Sequence, residues 1–398
     1  MGEITTKFIG VHYNTRILYY RYSVMNFGAV GDGIEDDTQA IQDAMDENSI
    51  VLFPPGTYKD TGNHTITKDL IIIGDDVTIV GGSTNTFLTL LDGDEIGNIK
   101  INGVNFENYK YIISATKTHT ISVDNLFCEK SNFTEGECFL FVDNSTTIKI
   151  NNIDISYSRF ENCISPISFA GYFDSVNVSN NYFNGCYGYN IRLGIQDEQY
   201  WDNCRNVVVT NNRFYDVKDS PTAYSSCVLC YGYSVVINNN TASKIYADRC
   251  FYSKAHSGTI SNNSISSVLF SSTDNNSTVF SGIYMKGEHM VVSGNSIISD
   301  NETKVPPDYY YGITVDGSKA VINNNYVGGF FRGIVCYTGT TNIIIIGNQI
   351  IRDTASEGSG ILCDTNAVRI IEHNQILNHG NNNEPYFYGE LELPEIPE

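Results

Sequence analysis

Three charged residues recur at matched places in this chain of 398 residues: Lys254, Lys286 32 positions later, and Asp316 30 positions after that. Each takes the fifth place of a short apolar phrase, in CFYSKA, GIYMKG and GITVDG. Two stacked lysines repel unless an anion lies between them or carboxylates lie beside them. The chain carries 24 Lys plus Arg against 45 Asp plus Glu, a formal net charge of -21, so a local pair of cations stands out. Tyr231, Tyr252, Tyr284 and Tyr337 hold third or fifth places of neighbouring phrases. Aromatic faces for pyranose rings, with cations for carboxylates, suit an acidic polysaccharide.

Two chemistries fit such a stripe. A lyase needs a base for the proton beside a uronate carboxylate and cations for the developing enolate. Lys254, His256 or a tyrosine could be the base, with Arg192 and Lys286 neutralising charge. A hydrolase needs two carboxylates, and Asp316 and Asp364, two phrases apart, are expected at about 9.6 Å in backbone, near the inverting range. The insertion RLGIQDEQYWDNCR sets the single tryptophan, Trp201, among Tyr200, Asp197, Glu198 and Asp202, as a binding loop would. The plainer reading makes the lysines and tyrosines ordinary solvated-sheet residues, with Lys paired to Asp316 or Glu288 and Trp201 covering an edge.

The elements that must position these residues are written in a repeat. A phrase of alternating apolar residues, then Asn or Gly before Asn, then an apolar residue, recurs with its second Asn at 181, 212, 240, 263, 295, 325, 348 and 374 (374 in the variant HNQI). Degenerate copies carry it upstream to Ser158, Ser131 and Val104. Repeats of this length with Asn/Gly turns predict stacked parallel strands, coils about 4.8 Å apart, and amide ladders along the axis. Within the second phrase, the second and fourth residues point inward and the third and fifth outward. Inward fourth places include Cys230, Cys336 and Cys363, so the ten cysteines read as buried thiols. Cys227 and Cys230, three apart on a strand, are expected on opposite sides and not as a zinc or redox pair, and no metal or cofactor is expected.

The stretch FGAVGDGIEDDTQAIQDA, residues 27 to 44, bunches Asp32, Glu35, Asp36 and Asp37 behind glycines. It reads as structural: a tight turn, N-cap oxygens from Asp36, Asp37 and Thr38, and an amphipathic helix near 37 to 47 burying Ala40, Ile41, Ala44 and Met45 over the open end of the coils. IVLFPPGTY follows as a strand and turn into the first coil. The negative charge argues against nucleic acid and anionic membrane. No apolar run is long enough to span a bilayer, and the start lacks the pattern of a secretory signal, so the chain reads as soluble.

Residues 27 to 44 with VLFPPGTY resemble the N-terminal signature of the pectate-lyase-like right-handed β-helix superfamily, especially phage tailspike and polysaccharide-depolymerase members. The resemblance implies an all-β, right-handed parallel β-helix of about eleven coils with an N-terminal capping helix. It divides the chain into an extension at 1–25, a β-helix domain at 26–380 with its cap at 26–58, and an acidic tail at 381–398. It also implies a receptor-binding protein of a virion, acting outside the cell as a homotrimer. Such a protein binds and depolymerises a bacterial surface polysaccharide as lyase or glycoside hydrolase, with the extension available for a tail partner. A non-catalytic adhesin and a structural virion component are the alternatives. The motifs Asn-Thr-Asp, Gly-His-Gly and Arg-Ile-Lys of polygalacturonases, Arg-x-Pro-x-x-Arg of pectate lyases and Asp-Pro-His-Asp of alginate epimerases are not found in the sequence. On these terms Lys254, Lys286, Asp316, His256 and Asp364 are the catalytic candidates. Arg192, Trp201, Tyr231, Tyr252, Tyr284 and Tyr337 are the binding candidates.

Overall fold

The computed structural model describes residues 21–379 and 386–388, apart from 92, 94, 116–120, 137, 143–144, 219–224, 269–279, 301–309, 338, 357–358 and 365–367. Residues 1–20 of the extension and 389–398 of the tail therefore lie outside the described residues, as does most of the two insertions after Val268 and Ser299.

Each Asn phrase builds its coil by two linked devices. The residue before each marker takes the left-handed conformation: Gly103, Lys130, Tyr157, Asn180, Asn211, Asn239, Asn262, Gly294, Asn324, Gly347 and His373 all have φ between 50° and 72°. The kink turns the marker side chain inward, where it meets the marker of the next coil. The Asn240 amide nitrogen donates to Asn263 Oδ1 at 3.0 Å, and the Asn240 backbone N–H donates to the same oxygen at 2.9 Å. The ladder runs unbroken from Asn181 to Asn374. Upstream, serine hydroxyls take over: Ser131 N donates to Ser158 Oγ and Val104 N to Ser131 Oγ. From Val104 to Asn348 the buried backbone N–H at each marker is thus satisfied from the coil beside it.

The strands pair in parallel from coil to coil and fall into three faces around one core. Two places beyond the marker, Phe106, Phe133, Phe160, Phe183 and Phe214 form an internal stack with ring centroids 4.8 to 5.6 Å apart. The protein is an all-β parallel β-helix of about eleven coils. No described helix is long and apolar enough to cross a membrane.

At the N-terminal end the helix Thr38–Glu47 buries Ala40, Ile41, Ala44 and Met45, as the spacing requires. Its carboxylates act differently from expectation in one respect. Asp36 caps the helix, accepting the Thr38 N–H at 3.1 Å, whereas the buried Asp37 accepts from Val30 N at 2.6 Å and Gly31 N at 3.3 Å and closes the glycine turn. Asp37 has no cap bond because its oxygens are already committed there. Gly31 is required: at φ 70° a Cβ would meet the Tyr58 ring at 2.9 Å.

A buried polar group ties this cap to the coils. His64 Nε2 and Asp60 Oδ2 are 3.0 Å apart, the Tyr109 hydroxyl donates to the same oxygen, and Thr38 Oγ1 donates to Asp60 Oδ1 at 3.0 Å. Burial pushes the Asp60 carboxyl up, but the hydrogen bond and charge of His64, with the bonds from Tyr109 and Gly62, outweigh it and hold the group below its ordinary 3.8. A carboxyl depressed in the folded state contributes stability above the unfolded value and loses it as pH falls through the folded one. The wild type's advantage in Tm over Asp60→Asn is therefore full above about pH 4 and shrinks below it. An equal gap at pH 6 and pH 3 would reject the assignment.

All ten cysteines are free thiols and buried. Burial pushes the Cys204 thiol up to about 11, and Cys227 and Cys230 are also raised. One expectation fails. Cys227 and Cys230 both face the core, because the chain turns a corner at the first place of the phrase, and Cys227 lies against Cys250. Later coils put glycine there: a Cβ on Gly312 would meet Val327 Cγ1 at 2.2 Å. The thiols should ignore a thiol reagent in the native state and react together on unfolding. Fast labelling of several thiols without unfolding would contradict the packing.

Candidate functional site

The register delivers the charged stripe. Tyr231 pairs with Lys254, Lys254 with Lys286, and Lys286 with Asp316, on the strands Ser226–Asn238, Arg249–Ser261, Phe280–Ser293 and Tyr310–Gly317. Gly287 and Gly317 follow the last two at φ 151° and 153°, and a Cβ on Gly287 would sit 1.7 Å from the Ala255 oxygen. The backbones approach closely there because no side chain intervenes, and the fifth place projects from the rim of the turn. Lys286 Nζ lies 3.4 Å from Asp316 Oδ2, which also accepts the Tyr284 hydroxyl at 3.1 Å. Glu288, the other expected partner, approaches Lys319 instead, at 4.0 Å.

The tyrosines point away from the core but are not open platforms. Tyr231, Tyr252, Tyr284 and Tyr337 are at most 8% exposed and pack with Leu229 and Trp201 into a second apolar cluster outside the coils. The third places are likewise covered, Thr314 and Val335 completely. Sequence alternation gives direction relative to the core, not exposure; a second layer on the outer face buries what the strand turns outward. The expected stacking faces on these four tyrosines and on Trp201 are therefore corrected to packing roles. Burial pushes the Tyr231 hydroxyl up to about 12 and also raises Tyr252, Tyr284 and Tyr337.

The insertion folds over this layer. Asp197 caps the short 3-10 turn Glu198–Asn203 by accepting from Gln199 N at 3.2 Å, and the turn drives Trp201 into the cluster, 2% exposed. Trp201 meets the His256 ring edge-on, with centroids 5.5 Å apart, and His256 Nε2 is 3.7 Å from Asp202 Oδ1. Between loop and stripe lies a pocket of about 560 Å³ lined by Lys254, Lys286, Asp197, Glu198, Tyr200 and Trp201, among others. The pocket brings together the two lysines and the loop that sequence spacing had placed 53 residues apart at the nearest (Trp201 to Lys254). His256 stands behind Trp201 and does not line it. Arg192 lies toward the Tyr189 ring, 5.9 Å away. Asp364 ends the strand Ser359–Asp364, and its side chain lies outside the described residues.

Sequence reasoning missed one residue of this face altogether. Arg249 stands just before the phrase CFYSKA, with its guanidinium 4.6 Å from the Tyr252 ring centre and 5.2 Å from that of Tyr284. It lies three places before Tyr252, so alternation alone would aim it inward; the corner at Cys250 returns it to the outer face.

A capped stack of parallel coils with a loop-walled pocket on one outer face defines a pectate-lyase-like β-helix protein. The chain belongs to the family described as rhamnogalacturonase A/epimerase, pectate lyase-like, whose model matches residues 22–246. That match contains Arg192, Trp201 and Tyr231 and stops before Lys254. The chain is similar to alginate lyase 7 of Azotobacter vinelandii, 37% identical over 126 residues, which are 29% of this chain and 13% of that protein. It is also similar to mannuronan C5-epimerase AlgE5 of the same organism, 40% identical over 78 residues, 18% of this chain and 8% of that protein. The chain thus spans a small part of the length of these curated relatives. A solved tailspike protein of Acinetobacter baumannii phage AM24 superposes over 91% of this chain and 54% of that one, at 13% identity and a TM-score of 0.47.

Proposed function

We propose that this protein binds an acidic polysaccharide across the Lys254–Lys286 face and cleaves it. The observation that carries the reading is the pairing of two lysines on adjacent coils at the floor of a loop-walled pocket, in a chain of net charge -21. Alginate and mannuronan, named for the two sequence relatives, are uronate polymers, which supports the same ligand class. In the reaction we favour, Lys286, held by Asp316, binds the uronate carboxylate, and a neutral Lys254 accepts the proton from the carbon beside it; a carbon–carbon double bond forms as the glycosidic carbon–oxygen bond breaks, and the leaving oxygen takes a proton from water. Hydrolysis would instead need two carboxylates, for which Asp197 or Glu198 on the pocket wall and Asp316 beside Lys286 are the candidates.

The same reading gives the protein a tailspike-like role: recognition of a bacterial surface polysaccharide, outside the cell, as a homotrimer, with residues 1–25 available to a virion partner. Incubation with alginate, polygalacturonate and a panel of bacterial capsules tests it. Unsaturated uronate ends mark elimination and new reducing ends alone mark hydrolysis. Binding without either product leaves an adhesin, and neither binding nor turnover rejects the reading.

A further inference from the structure

Six of the ten cysteines stand beside another cysteine one coil away. Cys336 is the register partner of Cys363, and Cys227 and Cys250 lie between the paired residues Ser226–Arg249 and Val228–Phe251. Cys163 and Cys186 make the third pair: the residues after them, Ile164 and Tyr187, form a parallel bridge, and Tyr187 N donates to Cys163 O at 2.9 Å. Neighbouring parallel strands are about 4.8 Å apart, inside the Cα separation of about 4.4–6.8 Å that a disulfide spans. All six are free thiols.

Backbone setting separates the third pair from the other two. Cys227, Cys250, Cys336 and Cys363 belong to strands and are fully buried. The ladder around them resists the backbone shift that closing a sulfur–sulfur bond of about 2.05 Å demands. Cys163 lies instead between the strands Arg159–Glu161 and Ile167–Phe169, and Cys186 between Tyr182–Asn184 and Tyr189–Leu193. Ile164 is 51% exposed, so one residue separates the Cys163 thiol from solvent. Each thiol rests on a carbonyl of the preceding coil, Cys163 Sγ 3.4 Å from Phe133 O and Cys186 Sγ 3.4 Å from Phe160 O. The two side chains thus hold the same pose one coil apart, and releasing one of these weak bonds frees that sulfur to turn toward the other.

Reactivity is divided within the pair. The Cys186 thiol donates to Cys163 and holds it below the ordinary thiol value against desolvation, whereas burial pushes Cys186 well up. The thiolate is the nucleophile, so Cys163 is the attacking sulfur and Cys186 the resolving one.

We propose that Cys163 and Cys186 are a modification site for hydrogen peroxide, whose reduction leaves a disulfide stapling two adjacent coils. The Cys163 thiolate, its proton given to water, attacks a peroxide oxygen: a sulfur–oxygen bond forms, the oxygen–oxygen bond breaks, and the leaving hydroxide takes that proton back. The Cys186 sulfur then attacks the sulfenic sulfur; the disulfide forms, the sulfur–oxygen bond breaks, and hydroxide leaves as water with the Cys186 proton. Two thiols lose two electrons and one peroxide becomes two waters. The oxidant is barely larger than water, so it enters where bulkier thiol reagents are excluded. The site is independent of the polysaccharide reading.

In the test, the folded full chain is treated with hydrogen peroxide, quenched, unfolded in N-ethylmaleimide and mapped by mass spectrometry. The expected result is one disulfide, Cys163–Cys186, reversed by dithiothreitol, with the other eight cysteines alkylated. In Cys186→Ser the resolving thiol is gone, so a 1,3-dione probe should trap a sulfenic acid at Cys163. Cys163→Ser should slow peroxide-dependent loss of thiols about tenfold or more. Should either variant not fold, the wild-type map decides by the order in which the three pairs oxidise. No disulfide while the protein stays folded, Cys227–Cys250 or Cys336–Cys363 closing as fast, or a sulfenic acid trapped at Cys186 in place of Cys163 would overturn the assignment.

Discussion

Asn263→Ala lowers the unfolding free energy by about 2–5 kcal/mol, whereas the same change at Asn374 costs less than about half of that. Asn263 sits in mid-ladder, 2% exposed. Its amide nitrogen donates to Ile237 O at 3.0 Å and Asn295 Oδ1 at 2.9 Å, and its oxygen accepts from the backbone and side chain of Asn240. Alanine leaves the Asn240 N–H buried without its acceptor and removes the bonds to the Ile237 carbonyl and to Asn295 Oδ1, and a buried orphan donor alone costs about 1–3 kcal/mol. Asn374 is half-buried and receives the ladder without passing it on: its amide nitrogen donates to Ile345 O. Chemical unfolding of both variants measures the contrast. Because each coil contacts only its neighbours, a mid-stack defect splits the cooperative unit and should also lower the m-value. Equal costs at the two positions would mean that the ladder is not the element holding the coils in register.

The larger functional effect belongs to the lysines. In the double variant Lys254→Ala, Lys286→Ala, binding of the acidic polymer should weaken by about 2–6 kcal/mol, twice the scale of one charge-assisted hydrogen bond, and the salt dependence of what remains should flatten. The single variants divide the roles. Lys286→Ala should mainly weaken binding. Lys254→Ala should lower turnover about 100-fold or more with little change in affinity if it accepts the proton. Asp316→Asn separates position from charge: it removes the 3.4 Å ion pair while retaining an acceptor for Tyr284, so binding should fall only modestly. Unchanged binding and turnover in the double variant would reject this face and leave the loop carboxylates Asp197 and Glu198 as the next residues to change.

The sequence alone determined the coil. An Asn or Gly before eight of the eleven markers favours a left-handed kink, and the marker recurs at a period that stacking satisfies, so the parallel solenoid, the amide ladder and the matched register of Lys254, Lys286 and Asp316 follow from local rules. The capping helix was legible for the same reason: its apolar spacing and the carboxylates before it are contained within some twenty residues. What tertiary structure decided was the outer face. Strand alternation says that Tyr252 and Tyr284 point away from the core, but whether outward means solvent depends on a layer supplied by distant chain. The turn at Trp201, 51 residues before Tyr252, covers them and turns expected stacking faces into a packed interior. Arg249 was hidden by the corner at Cys250, which breaks the alternation that would have aimed it inward. The pocket itself is formed by that loop and the lysine floor together, and no local pattern records their meeting because it is made by packing between segments with no shared periodicity.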